Sequence, residues 1–252
     1  MQRAQRLSAI VVIVAERGGA VVADLAASLD VSEPTIRRDL EYLEAHRLIR
    51  RTHGGARPHD AFTDLPLGLK TVQDVPEKRR IARAALKLVS GARVIGTTGG
   101  TTLTEFAHAY REVGTASVVT NSVDVATELL TNPRIRVFLT GGEVRSSSHE
   151  TVGRSAEVVL GTYNIDIAVL GVDGIDVDAG ATAYDPSGAV VNGMLSARAL
   201  RTIVLADATK VGRAALTRIC PIDDVDVLVT DERACPTHLE RIRARGCRVV
   251  VV

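Results

Sequence analysis

Two stretches of this 252-residue sequence carry residue types whose spacing suits chemistry. The first is Ser32-Glu33-Pro34-Thr35-Ile36-Arg37-Arg38-Asp39-Leu40, followed by Arg50-Arg51 and His53-Gly54-Gly55. On a helix advancing about 100° per residue, Ile36, Leu40 and Leu43 fall within about 60° of one another. Arg38 comes out opposite them, flanked by Thr35, Pro34 and Tyr42, with Arg37 at the edge. A helix fixed by one apolar face and carrying arginine on the other can reach phosphates and base edges. Arginine pairs bidentately with guanine, for roughly 1–3 kcal/mol of discrimination. Ser32 and Thr35 at the helix start suit a phosphate, whereas Asp39, nearer the core edge, suits an ion pair with an arginine.

The second stretch is Gly96-Thr97-Thr98-Gly99-Gly100-Thr101-Thr102, between an apolar run and a helical one. Glycines let backbone N–H groups approach an anion, threonine hydroxyls add donors, and a helix N-terminus favours negative charge. It is neither a Walker motif nor a GxGxxG fingerprint, and the same residues also suit a plain strand-to-helix turn. Thr120-Asn121-Ser122 and Thr140-Gly141-Gly142 likewise follow apolar runs. In an open α/β sheet ligands bind outside the carboxyl ends of the strands, so three such turns on one edge point to a small, oxygen-rich anion.

These residues need elements to hold them. Leu7, Ile10, Val11 and Val14 predict a helix over Arg3–Arg17, ended by Gly18-Gly19. A short helix over Ala23–Leu29, a turn at Asp30-Val31-Ser32 and a helix over Glu33–Ala45 follow. Ser32 suits an N-cap and Pro34 a first turn. Leu48–Thr52 and the turn His53-Gly54-Gly55-Ala56 form a wing. Residues 58–76, with Pro58, Pro66, Gly68 and Pro76, read as a linker stiffened by its prolines. Beyond it, apolar strands are predicted at Arg93–Thr97, Ser117–Thr120, Arg136–Thr140, Ile167–Gly171, Thr202–Ala206, Val225–Thr230 and Arg248–Val252. Helices alternate with them at Glu77–Val89, Thr101–Glu112, Ser122–Leu130, Arg154–Leu160, Ala189–Leu200 and Pro236–Arg245. The expected class is α/β: a winged helix-turn-helix over 1–57, the linker over 58–76, and an open, mostly parallel sheet covered on both faces over 77–252.

Composition narrows the function classes. No apolar run approaches the roughly 18 residues of a membrane span, and Glu16 and Arg17 close the N-terminal apolar run with no small-residue cleavage site after it. A cytoplasmic protein is expected. Cys220, Cys235 and Cys247 form no CxxC pair, which argues against a disulfide framework or a structural zinc, and the scattered histidines show no ligand spacing; no metal or cofactor is expected. Net charge is only +1, yet residues 1–57 hold nine arginines against seven acids, six of them between Arg37 and Arg57. The positive charge is local, as a DNA-binding face requires.

VSEPTIRRDLEYLEAHRLIRRTHGGA closely resembles the DNA-binding domain of the DeoR family of bacterial sugar-metabolism regulators. The resemblance continues through Glu77-Lys78, Ile81-Ala82, Thr120-Asn121-Ser122, Gly141-Gly142 with Arg145, Gly153, and Asp207 with Lys210. It implies a regulator that binds double-stranded operator DNA through Ser32, Thr35, Arg37, Arg38, Arg50, Arg51, His53, Gly54 and Gly55. It also implies a second domain similar in fold to ribose-5-phosphate isomerase and the coenzyme A transferases, taking a phosphorylated sugar or related metabolite. Carried over by position, Gly100, Thr101 and Thr102 match its phosphate-loop Gly-Thr-Thr, next to Gly99 of the same cradle, and Thr120, Asn121, Gly141, Gly142, Arg145 and Lys210 match its other recurrent positions. The sequence departs from the family at Thr98, where an Asp is usual, and around Gly188 and Asn192, where an acid and a Lys are usual. Lys70 stands where many members have Arg. The missing groups imply an altered effector, weaker sugar-phosphate binding, or none.

Two other functions are weighed. A sugar-phosphate isomerase needs a positioned general base and an oxyanion stabiliser; Asp173, Asp185 and Asp207 are the candidates, and Asp173 equally suits capping turn N–H groups. No enzyme activity is expected. In the other, the protein binds DNA constitutively and its second domain only oligomerises. The leading expectation is a repressor, dimeric or larger, whose effector shifts the placement of paired DNA-binding heads.

Overall fold

The computed structural model describes residues 2–46, 48–58, 67–71 and 73–252. They divide into two compact units, Met1–Gln73 and Asp74–Val252.

The first unit begins with α1 (Arg3–Arg17), β1 (Ala20–Val21), α2 (Val22–Leu29) and α3 (Glu33–Ala45). It continues with β2 (Ile49–Thr52), β3 (Gly55–Pro58) and a single helical turn, α4 (Leu67–Lys70). Helix α1 stops at Gly18, whose φ of 67° lies in the left-handed region that glycine enters without a Cβ clash. Leu7, Ile10, Val14, Leu25, Ile36, Leu40, Leu43 and Ile49 form one buried cluster, so the apolar stripes of α1, α2 and α3 meet as their spacing requires. Ser32 is the N-cap of α3 and Pro34 lies in its first turn. The Ser32 hydroxyl, however, pairs with the Thr35 hydroxyl at 2.9 Å rather than with a backbone N–H.

The second unit opens with α5 (Val75–Leu88), β4 (Val94–Thr97), α6 (Thr101–Val113), β5 (Ser117–Thr120), α7 (Val123–Leu129) and β6 (Arg136–Leu139). A hairpin of β7 (Glu143–Val144) and β8 (Thr151–Val152) leads to α8 (Arg154–Leu160) and β9 (Ile165–Gly171). Next come β10 (Gly174–Asp176), β11 (Gly180–Ala183), α9 (Pro186–Ala197) and β12 (Ala199–Leu205). The chain ends with β13 (Thr217–Cys220), β14 (Val227–Thr230), α10 (Pro236–Ala244) and β15 (Arg248–Val251).

Seven strands form a sheet in the order β15-β14-β12-β9-β4-β5-β6, every neighbouring pair parallel. Its side chains alternate between two cores. Val118, Ile167, Val169, Ile203, Leu205, Val227 and Val229 pack with Ile81, Leu103, Phe106 and Val125 of α5, α6 and α7. Val119, Ala168, Leu170, Val204 and Leu228 pack with Ala156, Leu160, Leu195, Leu239 and Ile242 of α8, α9 and α10. A parallel sheet buried on both faces is the expected class.

Three features differ from the sequence expectation. Helix α5 starts at Val75 rather than Glu77, because Pro76 fits the first turn, where its missing N–H costs nothing. Of the expected linker 58–76, residues 59–66 and 72 lie outside the described residues, and the remainder includes α4 and the start of α5. A second, antiparallel sheet in the order β10-β11-β13 was not expected; its Gly- and Ala-rich strands lack the alternation that marks a half-buried strand.

Candidate functional site

In the first unit, the apolar face of α3 is fully buried through Ile36, Leu40 and Leu43, and Arg37, Arg38 and Tyr42 are exposed. Asp39 lies on the buried side, 2% exposed. Arg6 donates to both of its carboxylate oxygens, and Arg3 lies 3.6 Å away. Asp39 therefore fastens α3 to α1, as its wheel position suggested. Arg37 is drawn to Glu33 at 3.0 Å. Among the described residues Arg38 has neither hydrogen bond nor ion pair.

The wing is a β2–β3 hairpin in which Thr52 faces Gly55 across His53-Gly54. Gly54 has φ 92°, and its carbonyl accepts from Val22 N–H at 2.8 Å. Gly55 is buried beneath β1, where a Cβ would sit 2.2 Å from the Ala20 carbonyl oxygen. It shapes the wing and has no side chain to offer a ligand. Arg51 is engaged by Glu41 at 3.4 Å and takes Glu44 on its backbone N–H. Arg50 lies directly opposite Arg57, both exposed. Like charges opposite each other in a hairpin are destabilising, and a polyanion relieves them. Arg57 was not singled out from sequence, although counting outward from the two-residue turn pairs it with Arg50.

In the second unit the sheet order reverses between β4 and β9, the switch point where α/β proteins place ligands. The Gly99–Thr102 run leaves β4 at this place and opens α6, with Gly100 as N-cap at φ 107°. Nothing lies within 4 Å of where a Gly100 Cβ would stand, whereas one on Gly99 would meet the Glu150 Cγ at 2.8 Å. Thr101 is half-buried and Thr102 buried. Thr98, at the family-departing position, bridges the two strands at the switch point: its hydroxyl oxygen accepts from Gly171 N–H at 2.8 Å.

The neighbouring turns lie side by side, because β4, β5 and β6 are paired in register through Thr97, Thr120 and Leu139. Thr120 and Asn121 are fully buried, the Thr120 hydroxyl oxygen accepting from Ser122 N–H. Asn121 Nδ2 donates to Asn192 Oδ1 at 3.1 Å, and its own Oδ1 is buried without a partner among the described residues. Gly141 and Gly142 are exposed, and the backbone of Gly142 lies against Val152. Lys210 stands on the turn after β12, two strands along the same edge from β4.

The β7–β8 hairpin carries two further groups into this edge. Arg145 lies 3.4 Å from Asp185 and donates to Ser147 and Ser148. Asp185 also caps α9 through Gly188 N–H at 2.6 Å. A Cβ at Gly188 would stand 3.4 Å from the Arg145 guanidinium, and the acid that meets Arg145 here is Asp185, three residues earlier. Glu150, 7% exposed, accepts from Gly99 N–H at 2.9 Å. Burial pushes its carboxyl above the usual carboxylate range and the Asp173 charge adds to the rise, while Gly99 N–H, the Ser148 hydroxyl and Arg145 act against it. Sequence reading missed Glu150, which is 51 residues from its partner and isolated among serines.

The carboxylates considered as general bases are engaged with backbone. Asp173 accepts from Tyr184 N–H across the β10–β11 hairpin, and Asp207 accepts from Thr209, capping the turn after β12. No helix among the described residues is long and apolar enough to cross a membrane.

Residues 6–61 match the model of the DeoR-like helix-turn-helix domain, and residues 73–232 that of the DeoR C terminal sensor domain. The HTH-type transcriptional regulator GlpR of Haloferax volcanii is 34% identical over 99% of this chain and 98% of its own. The glycerol-3-phosphate regulon repressor of Escherichia coli K12 is 29% identical over 92% of each chain. A ribose-5-phosphate isomerase structure aligns with 53% of this chain and 52% of its own at 21% identity and a TM-score of 0.40. The two domain models match in order and the relatives span almost the whole length, so this chain belongs to the DeoR family of transcriptional regulators.

Proposed function

We propose that this protein is an effector-controlled repressor of sugar or carbohydrate-metabolism genes, acting on operator DNA in the cytoplasm. Its first unit reads duplex DNA with α3 in the major groove and the Arg50–Arg57 wing on the backbone. The observation that carries this reading is Arg38, exposed on the outer face of a helix whose inner face is fully buried, and unpartnered among the described residues. Arg37, Arg51, Arg3 and Arg6 are each held by an acid. Phosphate contacts fall to Ser32, Thr35, Arg37, Arg50, Arg51, His53 and Gly54. Two or more copies would set two such helices on half-sites about one DNA turn apart or a multiple of it.

The effector is a phosphorylated sugar or related metabolite at the edge formed by Gly99–Thr102, Asn121 and Arg145, with Thr120, Gly141, Gly142 and Lys210 around it. The N-terminus of α6, thirteen residues long, favours an anion there. The repressor names of relatives support the sign of regulation. Catalysis is not assigned, because each candidate base accepts a hydrogen bond from backbone.

Arg38→Ala tests the DNA-reading half. Specific operator binding is expected to weaken by about 1–3 kcal/mol, while urea unfolding changes by no more than about 0.5 kcal/mol, as for an exposed surface residue. Unchanged affinity, measured by fluorescence anisotropy on a selected operator duplex, would remove Arg38 from the interface.

A further inference from the structure

Donors at the Gly100–Thr102 edge account for a phosphate, but they do not account for the buried acceptors beside it. Thr98, standing where relatives carry an acid, is committed to backbone on both sides: its hydroxyl accepts from Gly171 N–H and donates to the Gly99 carbonyl. The acidic group at this corner is instead Glu150, delivered by the β7–β8 hairpin. The turn that delivers it is closed by Arg145 N–H on the Glu150 carbonyl at 2.9 Å and His149 N–H on the Arg145 carbonyl at 2.8 Å. Thr151 N–H bonds the Asn121 carbonyl at 2.7 Å, which ties the same hairpin to the end of β5.

Glu150 lies close enough to Gly99 to exclude any side chain there. One of its oxygens accepts from Gly99 N–H and the Ser148 hydroxyl also bonds the carboxylate, whose roughly four lone-pair sites leave acceptor capacity for further donors. Asn121 Oδ1 adds a second buried acceptor, unpartnered among the described residues. A buried acceptor without a donor, as Asn121 Oδ1 is among the described residues, costs stability, and a bound molecule that brings hydroxyl groups relieves it.

We propose that Glu150 is the hydroxyl-reading residue of the effector site: it accepts hydrogen bonds from a phosphorylated polyol or sugar whose phosphate lies at Gly100–Thr102. The inference rests on the effector reading above. It selects against anions that carry only acceptors, which would meet a carboxylate with no hydrogen to share. The carboxylate at this edge thus comes from the β7–β8 hairpin and not from the turn that follows β4.

Glu150→Gln keeps the shape and the Gly99 contact but removes the charge. Calorimetric titration of the full chain would use glycerol 3-phosphate, glucose 6-phosphate and fructose 1-phosphate, with inorganic phosphate as the hydroxyl-free control. For the tightest organic phosphate, the variant is expected to bind about tenfold more weakly, the scale of one charge-assisted hydrogen bond. Inorganic phosphate should bind equally well or more tightly, because a neighbouring negative charge is gone. A parallel loss for both, or no loss for the organic phosphate, overturns the assignment. A purely structural role would move both together, and an unchanged melting temperature of the ligand-free variant shows the fold intact. If no organic phosphate binds the wild-type chain, the effector reading itself fails, and this inference with it.

Discussion

Asp39→Ala is expected to destabilise the winged-helix unit by about 3 kcal/mol and to abolish operator binding without touching DNA. Asp39 is 2% exposed, and the side chain of its partner Arg6 only 12%. Removing one member of a buried ion pair leaves the other charge desolvated and uncompensated, which costs about 3–5 kcal/mol. The lower end applies because the pair lies near the surface, with the exposed Arg3 beside it. The loss acts on function because this pair joins α1 to α3, the helix that presents Arg38. Urea unfolding of the full chain, followed by circular dichroism, should show the first unit melting earlier. A change below about 0.5 kcal/mol, the range of ordinary surface substitutions, would mean that the pair does not hold α3 in place. Asp39→Asn, which keeps one acceptor for Arg6 without the charge, should fall between.

Gly55→Ala is the second large effect, expected to cost about 2–3 kcal/mol as an overpacked contact. The new Cβ would stand 2.2 Å from the Ala20 carbonyl oxygen and 2.9 Å from the Val21 Cα. Both are backbone atoms and cannot rotate away, so β1 and β3 must part, and with them the pairing of Ala20 with Ala56 and Val21 with Gly55. Gly54→Ala, one residue earlier, is the informative comparison. It enters open space, and its only penalty is a φ of 92°, about 1 kcal/mol. Thermal melting should therefore rank Gly55→Ala well below Gly54→Ala. The reverse order would show that the turn rather than the β1–β3 contact limits the wing.

The elements with a strong period were legible in the sequence. Helix α1 over Arg3–Arg17 and helix α3 over Glu33–Ala45 form where Leu7, Ile10 and Val14, and Ile36, Leu40 and Leu43, recur at helical spacing. All seven strands of the parallel sheet were visible as short apolar runs; the inner ones, buried on both faces, need few polar residues, and the edge strands β6 and β15 keep their apolar runs behind an exposed arginine. The outward position of Arg38 and the inward one of Asp39 followed from the same wheel.

What escaped was governed by contacts distant in sequence. Glu150 reaches Gly99 only because the β7–β8 hairpin folds over the end of β5, and an acid among three serines has no local pattern to mark it. Thr98 reads as a lost carboxylate until Gly171 is seen donating to it. Asp185 reads as a candidate general base until it is seen capping α9 through Gly188 N–H, with Arg145 3.4 Å away. The antiparallel β10-β11-β13 sheet was hidden by its small residues, Gly174 and Gly180 among them, which permit backbones to approach closely but show no hydropathic period. The first unit was thus legible from local spacing, whereas in the second only the three turns at the ends of β4, β5 and β6 were, and the groups that reach them from other segments were not.

The two halves meet in a single measurement: the affinity of the full chain for its selected operator duplex, with and without the organic phosphate that binds it most tightly in calorimetry. An effector can control DNA binding only if it binds the DNA-competent and DNA-incompetent arrangements unequally. A coupling of about 1–3 kcal/mol is the usual scale, so operator affinity is expected to fall at least about fivefold at saturating effector. The same ligand should leave non-specific duplex binding unchanged. An operator affinity identical with and without a ligand that demonstrably occupies the Gly99–Thr102 edge would contradict effector control and leave a constitutive DNA-binding protein.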